Sequence, residues 1–192
     1  MPDLPTTPRG AATSRRILDA AAAEFARYGI AGARIERIIA AARTNKAQVY
    51  GYFGNKDGLF EAVVADCVDR STDALPFDAD DLPGWAVRLY DENLRRPEMV
   101  RLIAWIRLEQ RPTGPWFDSS RHEHKLSAIA RAQAAGRLRQ GDPFDLLTLV
   151  IAMASAWSPA SSVYTATAED PAEDHDRRRA LLRESVARAV AP

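Results

Sequence analysis

Residues 45–58 read NKAQVYGYFGNKDG, and the fold follows from how this stretch divides into two helices. Placed on a wheel at about 100° per residue, Val49 and Phe53 fall on one face, with Ala47, Gln48 and Gly51 opposite and Tyr50 and Tyr52 on the flanks. Asn45 supplies a cap and Gly54 a stop, and Asn55 caps a further helix. The outward set suits a DNA groove. Gln48 can offer its amide to a base edge and Ala47 its methyl to a thymine, while Gly51 clears room for close approach. Tyr50 and Tyr52 can donate hydroxyls to phosphates, beside the cations Lys46 and Lys56. The helix N-termini at Asn45 and Asn55 present free N–H groups to phosphate oxygens. Each residue also has a plain structural reading: Gln48, three after Asn45, completes a capping box, Tyr50 packs, and Lys56 is solvated.

Upstream, Thr13 or Ser14 can cap a first helix carrying Ile17, Leu18, Ala21, Phe25 and Tyr28, stopped at Gly29, with a turn at Gly32. Ile35, Ile38, Ile39 and Ala42 form a short second helix, and Arg43-Thr44 is the turn into the third. Three short helices with tight turns fit a helix-turn-helix. Arg34 and Arg37, at the start of the second, are either a generic charged face or further DNA contacts.

Downstream the pattern stays helical. A fourth helix runs through Leu59, Phe60, Val63, Val64 and Cys67 to about Arg70, followed by a loop over 73–82. Helices are expected from Pro83 to Arg95, from Pro97 past Leu108, from Ser119 or Ser120 to near Gly136, from Phe144 to Trp157 behind an Asp142-Pro143 cap, and from Ala172 to Val190. No stretch alternates with period two, so a sheet is not expected. The class is therefore all-α.

Composition narrows the function. The chain of 192 residues has no net charge, yet residues 1–60 hold nine Lys and Arg against five Asp and Glu, a balance of +4 that leaves −4 for the remainder. Such asymmetry suits a DNA-facing end on an otherwise acidic protein. No apolar run approaches the roughly 20 residues that span a bilayer, so no membrane partner is expected. Residues 1–9 lack the apolar core of a secretion signal, and Cys67, the single cysteine, cannot form an intrachain disulfide. A cytoplasmic protein is expected.

At this point a resemblance can be stated. Ile17-Leu18-Asp19-Ala20-Ala21 through Phe25-Ala26-Arg27-Tyr28-Gly29, Ile38 to Ala42, Asn45-Lys46, Val49-Tyr50-Gly51-Tyr52-Phe53 and Asn55-Lys56-Asp57-Gly58-Leu59 resemble the TetR/AcrR family of bacterial regulators over residues 13–65. The resemblance implies an all-α homodimer with an arm over 1–12, a helix-turn-helix DNA-binding domain over 13–56, and a ligand-binding and dimerisation domain over 57–192. It assigns DNA contacts to Lys46, Ala47, Gln48 and Tyr50, phosphate contacts to Tyr52 and Lys56, and groove or phosphate contacts to Arg34 through Arg37. The partners implied are a palindromic double-stranded operator and a small-molecule effector. Three positions depart from the family pattern: Ala33-Arg34 stands where a capping Thr is usual, Arg43 where the turn has Gly, and Gln48 where Thr is frequent. A side chain at 43 either adopts or avoids left-handed geometry, at a cost of roughly 1 kcal/mol.

The C-terminal part offers no Ser-His-acid set, phosphate loop or cofactor fingerprint, and His122 and His124 are misplaced for a shared metal. Neither an enzyme nor a cofactor is expected. Trp85, Tyr90, Met99, Trp105, Trp116 and Phe117 either line a pocket for an apolar or aromatic effector or simply pack the bundle. The helix from Phe144 is apolar on nearly every side, as for an element buried within and between subunits. The rival to a DNA-binding regulator is a helical dimer that binds ligand or protein without a specific DNA site.

Overall fold

The computed structural model describes residues 7–73, 75–110 and 122–192. All of its regular structure is helical: α1 (Pro8–Gly32), α2 (Ile35–Ala42), α3 (Lys46–Phe53), α4 (Lys56–Asp73), a 3-10 turn at Ala79–Asp81, α5 (Leu82–Arg95), α6 (Pro97–Gln110), α7 (Glu123–Ala134), α8 (Pro143–Ala154) and α9 (Ala172–Val190). No strand occurs among the described residues. The chain forms two compact units, Met1–Ser71 with Glu98–Arg111, and Thr72–Pro97 with Pro112–Pro192.

In the first unit α1 begins at Pro8, earlier than the Thr13 or Ser14 expected, so residues 8–12 of the expected arm are helical. Thr7 takes the cap by accepting the Gly10 N–H at 3.2 Å, and Pro8 sits where a missing N–H costs nothing. Thr13, read as a cap, instead returns its hydroxyl to the Arg9 carbonyl within the helix. Gly29 breaks the helix at φ 66°, as expected of a stop. Ile17, Ala21 and Phe25 are fully buried with Ile38, Val49, Phe53, Leu59 and Phe60, and the Phe25 and Phe60 rings meet edge to face at 5.1 Å. Arg15 bridges α1 to α4 through a bidentate pair with Asp66, whose hydrogen bond also raises the guanidinium pKa. Cys67 of α4 is buried and its thiol donates to Met99 Sδ of α6 at 3.1 Å.

In the second unit α5 packs against α8 and α9 around Leu82, Trp85, Ala86 and Tyr90, with Ile129 and Ala132 of α7 closing the core. Asp81 caps α5 through the Gly84 N–H. A Cβ at residue 84 would stand 2.0 Å from that carboxylate, so any other residue there would make the Asp81 side chain shift. Asp142 caps α8 through Phe144 and Asp145, as expected. However, α8 stops at Ala154, short of Trp157, because residues 155–158 close in successive turns. α7 begins at Glu123, and the Ser119 or Ser120 start lies outside the described residues.

Candidate nucleic-acid interface

Helix α3 rests on two buried side chains, Val49 and Phe53, and turns the rest of its surface outward. Lys46, Ala47, Tyr50 and Gly51 are exposed, whereas Gln48 and Tyr52 are half-buried. Tyr50 is 38% exposed, with the Lys46 ammonium 5.6 Å from its ring centre. A Cβ at Gly51 would meet nothing within 4 Å, so the free protein has no packing reason for glycine there.

The turn into α3 is more constrained than the sequence alone implies. Arg43 adopts the left-handed conformation at φ 50°, ψ 54°, accepting the cost that glycine would avoid. Its N–H and that of Thr44 close the end of α2 on Ala40 and Ile39. Asn45 caps α3 by accepting the Gln48 N–H at 2.9 Å. Only half of a capping box forms, because Gln48 Oε1 accepts from the Thr44 hydroxyl at 2.6 Å instead.

The start of α2 lacks a side-chain cap at Arg34, in keeping with the missing threonine. Glu24 of α1 supplies the substitute. Its buried carboxylate accepts the Arg34 N–H at 2.9 Å and Arg37 Nε at 2.7 Å. Arg37 also donates to the Gly32 carbonyl and stacks 4.2 Å over the Tyr28 ring, and the Glu24 hydrogen bond raises its pKa. Its guanidinium is therefore engaged in joining α2 to α1. Arg34, by contrast, is exposed.

Downstream of α3, Gly54 turns the chain at φ 75°. Asn55 caps α4 through the Gly58 N–H at 2.7 Å. A Cβ at residue 58 would lie 2.3 Å from the Phe53 carbonyl oxygen, so this turn excludes any side chain there. Lys56 donates to the Ala31 carbonyl at 3.3 Å, one of the three N–H donors its ammonium carries.

The six aromatic and methionine positions read as a pocket are spread over both units and the undescribed segment. Trp85 and Tyr90 are buried in the second unit. Met99 and Trp105 are half-buried on α6, which belongs to the first unit. Trp116 and Phe117 lie outside the described residues. The second unit instead surrounds Tyr90 with residues the sequence did not single out. Tyr90 hydroxyl and His175 Nδ1 are 2.7 Å apart, and Trp157 meets the Tyr90 ring edge-on at 5.9 Å. Asn93, Leu94, Trp157, Ser158 and Ala166 line a tight recess around Tyr90. Trp85 Nε1 and His175 Nε2 are buried without hydrogen-bond partners among the described residues. The Lys125 ammonium is buried, 5.4 Å from the Trp85 ring centre. No side-chain periodicity links residues 85 positions apart, which is why this set was not legible.

Comparison with known proteins agrees with this architecture. Residues 17–63 match the family described as "Bacterial regulatory proteins, tetR family", and residues 81–188 match "Tetracyclin repressor-like, C-terminal domain". The HTH-type transcriptional repressor SCO4008 of Streptomyces coelicolor is 43% identical over 148 residues, covering 75% of this chain and 77% of that protein. The HTH-type transcriptional repressor NicS of Pseudomonas putida is 35% identical over 106 residues, covering 51% of this chain and 50% of that protein. Among solved structures, the transcriptional regulator SCO4942 of Streptomyces coelicolor superposes with a TM-score of 0.77 at 35% identity, covering 93% of this chain and 98% of that one.

Proposed function

The chain belongs to the TetR family of helix-turn-helix transcriptional regulators, and from that premise we propose that it is a cytoplasmic, homodimeric repressor released from a palindromic operator by a small apolar or aromatic effector. The observation that carries this reading is the outer face of α3, where Lys46, Ala47, Tyr50 and Gly51 are exposed over a buried Val49 and Phe53. Ala47 and Gln48 meet base edges. Lys46, Tyr50, Tyr52, Lys56 and Arg34 meet phosphates, and the N-terminus of α3 behind Asn45 adds backbone donors. Arg37 serves the site indirectly, by holding α2 on Glu24. The DNA reader occupies residues 13–56, and the helices after it bind effector and partner copy, a functional division distinct from the division by compactness.

Dimerisation through α8 and α9 is supported by their unpartnered apolar surface: Phe144, Leu149 and Ile151 on α8, and Leu181 on α9, are exposed. Two recognition helices about 34–36 Å apart would enter successive major grooves. An effector acts by binding a different separation more tightly. A 100-fold loss of operator affinity requires about 2.7 kcal/mol of such coupling. The buried Trp85 Nε1 and His175 Nε2, both without partners among the described residues, support an effector site among aromatic walls with a few polar groups.

The test is fluorescence anisotropy with DNA from upstream of the protein's own and neighbouring genes, against scrambled DNA and a Lys46→Ala, Tyr50→Ala double variant. The expected result is preference for a palindrome, weakening with salt and collapsing in the variant. Equal affinity of wild type and double variant for every fragment would leave a ligand- or protein-binding dimer as the remaining reading.

A further inference from the structure

The turn between α2 and α3 does more than reverse the chain. Thr44 is held by its own N–H on the Ile39 carbonyl, and the Gln48 backbone is held by Asn45 Oδ1 at 2.9 Å. Between these two fixed points the Thr44 hydroxyl donates to Gln48 Oε1 at 2.6 Å. A threonine hydroxyl has one proton and an amide has its oxygen and nitrogen at opposite corners. Drawing the oxygen back toward the turn therefore sends Nε2 the other way. Glutamine reads adenine by using both corners at once, the oxygen accepting from N6 and the nitrogen donating to N7. With its oxygen drawn back to Thr44, Gln48 turns toward a base chiefly the two N–H donors of its nitrogen. The major-groove edge that offers two acceptors and no donor is guanine, through N7 and O6.

We propose that Thr44 is a positioning residue for base recognition, turning the Gln48 amide so that its nitrogen faces the major groove and the base pair beneath it is read as guanine. The inference rests on α3 being the operator-reading helix. Thr44 touches no DNA in this scheme; it acts through the orientation of Gln48, and it makes the identity of the turn residue part of the operator code.

The experiment is selection of bound sequences from a random duplex library by the full-length chain, compared among wild type, Gln48→Ala, Thr44→Val and Thr44→Ser. Gln48→Ala locates the base pair by flattening the preference there. Wild type and Thr44→Ser are expected to enrich guanine at that pair. Thr44→Val, which keeps the shape and loses the hydroxyl, is expected to shift the guanine-to-adenine ratio toward adenine on the order of tenfold, leaving the other positions unchanged. Adenine enriched by wild type at the located pair would overturn the proposal, and this outcome does not depend on any Thr44 variant folding. An unchanged ratio in a folded Thr44→Val chain would also overturn it, while leaving operator binding intact. Failure of wild type to enrich any motif would overturn the operator reading itself and this inference with it.

Discussion

At position 51 the recognition helix gives up stability with no return inside the protein. Glycine in a helix interior costs about 0.8–1 kcal/mol relative to alanine, and the space a methyl group would occupy is empty. Gly51→Ala is therefore expected to raise the melting temperature by roughly 2–4 °C while lowering operator affinity at least about tenfold, since the methyl would stand between helix and duplex. Thermal melts and anisotropy on the same preparation separate the two effects, and undiminished affinity would show that close approach is not the reason for the glycine. Residue chemistry around it was partly legible. The buried pair Val49 and Phe53 and the outward Ala47 and Gly51 follow from helical period alone. The side-chain commitments of Gln48 and Arg37 do not, because each depends on a partner in another element or turn: Thr44 for one, Glu24 for the other.

Whole elements were easier to read than their ends. Asp142-Pro143 announced α8, and Gly29 and Gly54 marked stops, since caps and breakers are local signals. The start of α1 was misplaced because the Thr7-Pro8 pair, a cap with proline at the first helical position, is itself a local start signal six residues ahead of Thr13. Residues 158–172, rich in Ser, Pro, Ala and Thr, carry no helical period and read as a loop. In the structure it is fastened to α9 at one carboxylate. Asp170 accepts from Arg178 at 2.8 Å, from the Thr167 hydroxyl and from the Tyr164 hydroxyl. The Arg178 hydrogen bond leads in pulling the Asp170 pKa from 3.8 down to about 2. A carboxylate with a depressed folded-state pKa stabilises the fold fully above its unfolded value and loses that contribution as pH falls from about 4 toward 2. Asp170→Asn is thus expected to be less stable than wild type at pH 7 and to converge with it near pH 2. Urea unfolding across that range checks this, and a stability gap of equal size at both ends would assign it to packing rather than charge.

For the whole molecule, the division into a DNA reader and a helical remainder was visible in the charge asymmetry and in the absence of period-two patterning. Which aromatic residues meet was not visible: Tyr90, Trp157 and His175 are brought together from three distant segments. The apolar outer surface of α8 and α9 carries the expectation of a dimer. A glutamate in place of Leu149, which is 44% exposed, is expected to convert the dimer to monomer in sedimentation velocity at micromolar concentration. It should also weaken operator binding by about 100-fold or more, since each half-site would then be held alone. A dimer that persists unchanged in this variant would move the interface elsewhere.

Two glycines seven residues apart therefore answer to different authorities. Position 58 is closed by the chain's own Phe53 carbonyl, so a side chain there must displace the backbone of the turn and is charged to the fold. Position 51 is open in the protein, and in the proposed reading only the duplex closes it. A change there is expected to yield a sound subunit that still pairs. If the chain pairs as proposed, a cell carrying both alleles would build mixed dimers in which a subunit altered at 51 disarms the good copy, so an error at 51 is expected to be dominant, whereas one that costs the fold at 58 would be expected to be recessive.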